Sequence, residues 1–136
     1  MSSVIHKVAG VIIKDRRLLV VREHGKSVFF SPGGKIESGE SKERVLMREL
    51  NEELGIEVLP KDLSLFGSYK AEAAGKVGSM LEMDVLLVHS YEGSLQAGNE
   101  VEELAWVTSL NEAGLELGSI FEKHVIPELK DQDLID

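Results

Sequence analysis

The sequence predicts a mixed α/β domain, with a mixed β-sheet lying between helices. Three observations lead there. β-branched, apolar runs at Val4–Ile13, Leu18–Val21, Leu63–Tyr69, Leu81–His89 and Leu104–Thr108 read as strands. An amphipathic helix interrupts them after Ser41, and a second helical pattern closes the sequence. With 136 residues, 43% of them hydrophobic and 29% charged, the chain (1–136) suits one globular domain with one core.

In chain order, Val4 to Ile13 alternates loosely and Asp15-Arg16-Arg17 makes a turn. Leu18 to Val21 with Arg22 follows as a strand, so the two are expected to form a hairpin. Arg22, Glu23, His24 and Lys26 occupy a polar connector leading to Phe29-Phe30. Two readings of it stand: a lining for a substrate pocket, with Arg22 and His24 as binding residues, or a solvated turn. Phe29 is either a face for a base to stack on or a core aromatic ahead of the Ser31-Pro32-Gly33-Gly34 loop. That loop suits an unusual backbone path, because glycine reaches positive φ without steric cost. Ser41 is placed to cap the central helix, with Glu43 in its first turn and Gly55 as its stop. Pro60-Lys61-Asp62 reads as a loop, Ala71 to Ser79 as a small, glycine-bearing mobile loop, and Tyr91 to Gly98 as a turn. The last helix lies within Leu110–Leu129. It carries Ile120, Phe121, His124, Val125 and Leu129 near one face, and Pro127 is expected to kink or shorten it.

Composition excludes several functions. A net charge of −9 argues against binding polymeric nucleic acid, which needs a basic stripe. A small phosphorylated substrate remains compatible, since a divalent ion can bridge acid to phosphate. The absence of cysteine removes disulfides, zinc–thiolate sites and thiol nucleophiles. His6, His24, His89 and His124 show no metal-ligand spacing. No apolar stretch has the length of a membrane span and no secretory leader is apparent, so the expected compartment is the cytoplasm, without a membrane partner.

The chemistry concentrates between Gly34 and Ile56, GKIESGESKERVLMRELNEELGI. With about 100° per residue and Arg48 set at zero, Glu52, Glu49 and Glu53 fall at roughly 40°, 100° and 140°. Leu46, Leu50, Leu54 and Met47 take the arc from roughly 160° to 260°. One face packs into a core, and the other presents three carboxylates with an arginine. A generic helix of this kind would simply be solvated on its acidic side. Here Arg48 cannot balance three glutamates, and oxygen-only ligation calls for a hard cation. Arg48 precedes Glu52 by four residues, a spacing at which it can orient a carboxylate.

Gly34, Glu40, Arg48, Glu49, Leu50, Glu52, Glu53, Gly55 and Ile56 stand in the pattern G-x5-E-x7-R-E-L-x-E-E-x-G-I. This resembles the signature box of the Nudix (MutT-like) hydrolases at every defined position. The resemblance implies an α/β/α sandwich and hydrolysis of a diphosphate linked to another moiety. It implies Mg²⁺, with Mn²⁺ as a substitute, on Glu49, Glu52 and Glu53, joined by a carbonyl of Gly33 or Gly34. Glu49 is the first choice of general base, Arg48 orients Glu52 or Glu49, and Glu40 has a supporting place. In Gly98-Asn99-Glu100-Val101-Glu102-Glu103, Glu100 sits where MutT-like members carry a further metal-binding glutamate. The same stretch also reads as a solvated acidic loop. The implied substrate is a nucleotide, foremost a nucleoside triphosphate cleaved to the monophosphate and pyrophosphate. ADP-ribose and dinucleoside polyphosphates are the alternatives, and Tyr69 either marks the latter or is packed in its strand. A nucleotide sensor is a third reading, set against by the full carboxylate set. Homodimers are common in the family.

Overall fold

The computed structural model describes residues 3–72 and 78–136. Ten strands and helices follow in order: β1 (Ser3–Val11), β2 (Ile13–Lys14), β3 (Arg17–Glu23), β4 (Phe29–Phe30), β5 (Gly33–Lys35), α1 (Lys42–Leu54), β6 (Leu63–Glu72), β7 (Ser79–Val88), β8 (Val101–Val107) and α2 (Ile126–Asp131). The strands make two four-stranded sheets where the sequence suggested one. The first has the order β5-β1-β7-β6 and is mixed, because β1 runs parallel to β7 while β5 and β6 pair antiparallel. In the second, β3 pairs with β8 along one edge and with β2 and β4 at opposite ends of the other.

The expected strand Val4–Ile13 divides at Ile12. β1 pairs with β7 over nine positions, from Ser3 to Val11. Ile12, 1% exposed, instead takes its hydrogen bond from Leu19 N–H of the second sheet. The hairpin is therefore β2–β3, not the whole first run with the second. The division lets β1 join one sheet while the residues after it join the other.

Strands buried on both sides follow from helices on both sides. Val8, Ile12, Leu19, Val21 and Leu86 pack with Val45, Leu46, Leu50 and Leu54 of α1. Ala9, Val11, Leu18, Val20 and Val85 pack with Phe121, Val125, Ile126 and Leu129 around α2. The period-2 alternation of β1 and β3 thus splits their side chains between two apolar layers. This is an α/β/α sandwich.

The Ser41 hydroxyl accepts Arg44 N–H at 3.2 Å, and Gly55 closes α1 at φ 70°. The final helical stretch begins only at Ser119, because Asn111 and Gly114 adopt positive φ and make a turn that Asn111 closes onto Leu115. Pro127 lies two residues beyond a π-helical turn, Phe121–Val125, rather than ending the helix. Lacking N–H, it removes one helical bond, while Ile126 N–H reaches back to Phe121 C=O. His124, expected near the buried face, is exposed. Pro60–Asp62 is a short 3₁₀ turn. Of the expected Ala71–Ser79 loop, Ala71 and Glu72 extend β6 and Ser79 opens β7; residues 73–77 lie outside the described residues.

Candidate active site

The carboxylate face of α1 is graded in burial, and the helical angles explain the order. Glu52 and Arg48, farthest from the leucine arc, are exposed. Glu49 and Glu53 border that arc and are partly buried, with the Glu49 side chain 22% exposed. An ordinary solvated acidic face would leave all three glutamates in water. Here two sit side by side under the glycine loop.

That loop supplies room and a donor. Gly34 lies directly over Glu49: a Cβ there would come within 2.8 Å of both Cγ and Cδ of the carboxylate. A Cβ on Gly33 would meet Val8 C=O at 2.0 Å, since Gly33 pairs with Ala9 at the edge of β1. Both positions therefore need glycine for close approach rather than for positive φ. The Gly33 N–H lies near enough to the Glu53 carboxyl to favour its charged form.

Burial raises Glu53, and the neighbouring Glu49 raises it further, to about 8; the Gly33 N–H opposes this. Glu49 is also raised, first by burial and then by the charge of Glu52; its contact with Glu53 and the charge of Arg48 pull the other way, and Glu100 adds to the rise. The two carboxyls thus hold a proton between them above the ordinary carboxylate range. Glu53 Oε2 is buried and has no hydrogen-bond partner. As the side chains stand, no three His, Cys, Asp or Glu groups among the described residues converge to hold an ion.

Of the two carboxylates Arg48 is expected to orient, it reaches Glu49 and not Glu52 among the described contacts. Its guanidinium pairs with Glu40 and lies 4.0 Å from Glu49 Oε1; the described contacts show no bond to Glu52. The Arg48 hydrogen bond holds the Glu40 carboxyl below its usual range. Beside this pair, Gly39, Glu40, Arg44, Met47 and Arg48 line an open cavity of about 490 Å³. Arg44 forms no ion pair among the described residues, and the sequence analysis did not single it out.

Glu100 stands in the loop before β8 with its side chain exposed, close enough for its charge to act on Glu49. Gln96 N–H and Gly98 N–H cap the carbonyls of Leu54 and Glu53 at the end of α1. The next residues then pass to β3, where His24 N–H donates to Glu100 C=O at 3.0 Å. Glu23 also acts on Glu53, a neighbour that sequence reasoning missed. The signal was available: Glu23 continues the Leu19–Val21 alternation, which faces α1.

The remaining candidates lie elsewhere. Arg22 is held by Glu102 and Glu103, and its guanidinium lies 5.9 Å from the centre of the Phe29 ring. Phe29 is a core residue, 6% exposed, whereas Phe30 is 46% exposed. Phe30 pairs with Val21 and so shares the β3 face that carries Glu23 toward Glu53. His24 is exposed, with Nδ1 3.6 Å from Glu102. Tyr69 belongs to the α2 side: its hydroxyl donates to Glu128 at 2.9 Å and its ring stacks on His124. Burial, then Glu128, hold that hydroxyl protonated above the usual phenol range.

Comparison with known proteins bears on the fold and the family. A model of the NUDIX domain matches residues 4–129. An ADP-ribose pyrophosphatase of Methanocaldococcus jannaschii is 33% identical over 99 residues, covering 71% of this chain and 57% of that protein. The match therefore spans little more than half of the archaeal relative's length. A CTP pyrophosphohydrolase of Escherichia coli is 32% identical over 106 residues, covering 75% of this chain and 74% of that protein. A solved MutT structure, from work on the Aliivibrio salmonicida and Vibrio cholerae proteins, aligns with a TM-score of 0.73 at 27% identity, over 96% of this chain and 99% of that one. The domain match runs from β1 into α2 and takes in the glycine loop, the carboxylate helix and the Glu100 loop together; the chain belongs to the Nudix (MutT-like) hydrolase family.

Proposed function

We propose that the protein is a divalent-metal-dependent pyrophosphohydrolase acting on a nucleoside diphosphate derivative, foremost a nucleoside triphosphate cleaved to the monophosphate and pyrophosphate. One observation carries this reading: Glu53 Oε2 is buried without a hydrogen-bond partner, beside the Glu49 carboxyl. A buried carboxylate left unpaired is costly, and a cation relieves it. The donor set fits a hard ion, since Mg²⁺ takes one or two carboxylates and completes its shell with water and phosphate oxygens. Glu49 and Glu53 would hold it, with the Gly33 or Gly34 carbonyl alongside and Glu52 and Glu100 at the margin. Mn²⁺ is the expected substitute. Such an ion supplies charge neutralisation at the phosphorus and makes a bound water more acidic.

The rest falls to the chain itself. Glu49, once ionised, is the acceptor for the proton of the attacking water. Arg48, braced by Glu40, keeps positive charge next to Glu49. Arg44 and Arg48 edge the adjoining cavity, where their charge favours substrate phosphates. Phe30 replaces Phe29 as the ring offered to a base. The net charge of −9 supports a small nucleotide, bridged by the cation, over polymeric nucleic acid. No described helix is long and apolar enough to cross a membrane, and a cytoplasmic setting is part of the proposal.

ADP-ribose is the second reading, favoured by the name of the Methanocaldococcus jannaschii relative. The dinucleoside polyphosphate alternative loses support, because the Tyr69 hydroxyl is already engaged by Glu128. A hydrolysis screen tests these readings with Mg²⁺ and then Mn²⁺, run beside Glu53→Gln. It covers canonical and oxidised nucleoside triphosphates, ADP-ribose, dinucleoside polyphosphates and nucleotide sugars. One class is expected to turn over well above the others, with the variant inactive. Tight nucleotide binding without any turnover would establish the sensor reading instead.

A further inference from the structure

Arg22 has most of its hydrogen-bonding capacity already committed within the protein. Its Nε and Nη2 donate to Glu103 Oε1 at 3.2 and 3.0 Å, and its Nη1 donates to Glu102 Oε2 and to Lys26 C=O, each at 3.0 Å. The side chain is only 21% exposed and lies over Phe29. A guanidinium has five N–H donors, so little remains for a substrate phosphate.

These bonds coincide with an irregularity in the ladder. Along β3 and β8, Arg22 stands opposite Glu103 while Glu23 stands opposite Val101, so Glu102 is the extra residue of a bulge. The bulge sets which way the residues just before it face. Val101 is 3% exposed in the α1-side core, and Glu100 lies next to it, fixed by His24 N–H. A one-residue slip would exchange the two faces, turning Val101 outward and redirecting Glu100. Glu100, Glu102 and Glu103 also repel one another, and Arg22 is the cation that gathers the last two.

We propose that Arg22 is a positioning residue. By latching Glu102 and Glu103 it holds the β3–β8 bulge that directs Glu100 toward Glu49. The inference rests on the reading that Glu100 serves the Glu49–Glu53 site. It assigns Arg22 to the order of that site rather than to contact with the nucleotide.

The test compares Arg22→Met and Arg22→Lys with wild type in three measurements. These are hydrogen exchange of the His24 amide in metal-free protein, Mn²⁺ affinity by electron paramagnetic resonance without substrate, and kcat against KM. Arg22→Met is expected to speed His24 exchange and to weaken Mn²⁺ binding about 10-fold. kcat should fall while KM stays near wild type, and Arg22→Lys should recover only part of the loss because it lacks the fork. In a Glu100→Gln background, Arg22→Met should cost no further Mn²⁺ affinity. A large rise in KM with Mn²⁺ affinity and His24 exchange unchanged would overturn the inference, as would full additivity with Glu100→Gln. Should Arg22→Met not fold, Glu102→Gln with Glu103→Gln cuts the same contacts from β8; wild-type Mn²⁺ affinity in that protein would equally overturn it. If Mn²⁺ binding by the wild type does not depend on Glu49 and Glu53, the reading of the site itself fails and takes this inference with it. If it does depend on them and Arg22→Met leaves it intact, only the role of Arg22 fails.

Discussion

At the scale of single residues, position relative to the backbone decides what a small change does. Gly33 and Gly34 are neighbours, yet a methyl group on each meets a different obstacle. On Gly34 it meets the Glu49 side chain, which can swing away; on Gly33 it meets the Val8 carbonyl of a paired strand, which cannot. Gly34→Ala should therefore keep a near wild-type melting temperature while losing about 10- to 100-fold in Mn²⁺ affinity. Gly33→Ala should lose about 3 kcal/mol or more of stability, read by urea unfolding. The glutamates separate by the same logic. Glu53→Gln should lower kcat by about 10²- to 10⁴-fold with the fold intact. Glu100→Gln should cost comparably if it serves metal or water, and far less if its loop is only solvated. The box pattern made Glu49, Glu52 and Glu53 legible from the sequence. It did not reveal that Glu52 is exposed while its two companions are partly buried side by side, because that depends on where the glycine loop lies.

Among elements, α1 is the one whose limits were readable almost to the residue. Its capping chemistry is local: the Ser41 hydroxyl meets Arg44 N–H, and Gly55 takes the left-handed conformation. Ser41→Ala should cost about 1 kcal/mol in urea unfolding. Gly55→Ala should cost about 1–2 kcal/mol, and for a different reason. Nothing lies within 4 Å of a Cβ at that position, so its cost is conformational, not steric. Val45 shows the limit of the helical wheel. At roughly 60° it falls between Glu52 and Glu49, yet it is fully buried. The wheel assumes one partner surface, whereas α1 meets both β5 and β1. The π-helical turn before Pro127 has a similar origin. Proline announced a disturbance, but packing of Phe121, Val125 and Ile126 decided that the helix would widen rather than stop.

For the whole molecule, the partly buried carboxyl pair couples stability to pH. In metal-free protein the folded state binds a proton more firmly than the unfolded chain, whose carboxyls titrate near 4.5. Stability from this source is full below that value and is lost as pH rises toward about 8. Melting temperatures in chelator should thus fall across this window, Glu53→Gln should flatten the profile, and Mg²⁺ should restore stability most at the alkaline end. A second linkage runs the opposite way. Arg16 binds Asp133 and Asp136, and Asp136 N–H donates to Arg16 C=O, tying the β2–β3 turn to residues after α2. The Arg16 bond holds the Asp136 carboxyl below its usual range, so its contribution is present at neutral pH and fades in acid. Arg16→Ala should lower the melting temperature slightly at pH 7, with the difference vanishing as Asp136 protonates and shrinking in high salt.

The sequence by itself determined the mixed sheet between helices, the capped helix, the family and the box carboxylates on one helix face. Each of these is written in spacing along one segment: period 2 in a strand, 3.6 in a helix, fixed intervals in the box. What only the tertiary structure decided is which of those groups meet. The division of the first strand at Ile12 places β1 and β3 in separate sheets. The bulge at Glu102 sets Val101 into the core, and four N–H bonds of Arg22 are committed to Glu102, Glu103 and Lys26. Such outcomes arise from pairing between strands about eighty residues apart, as with Arg22 and Glu103, where register and burial are set by the partner.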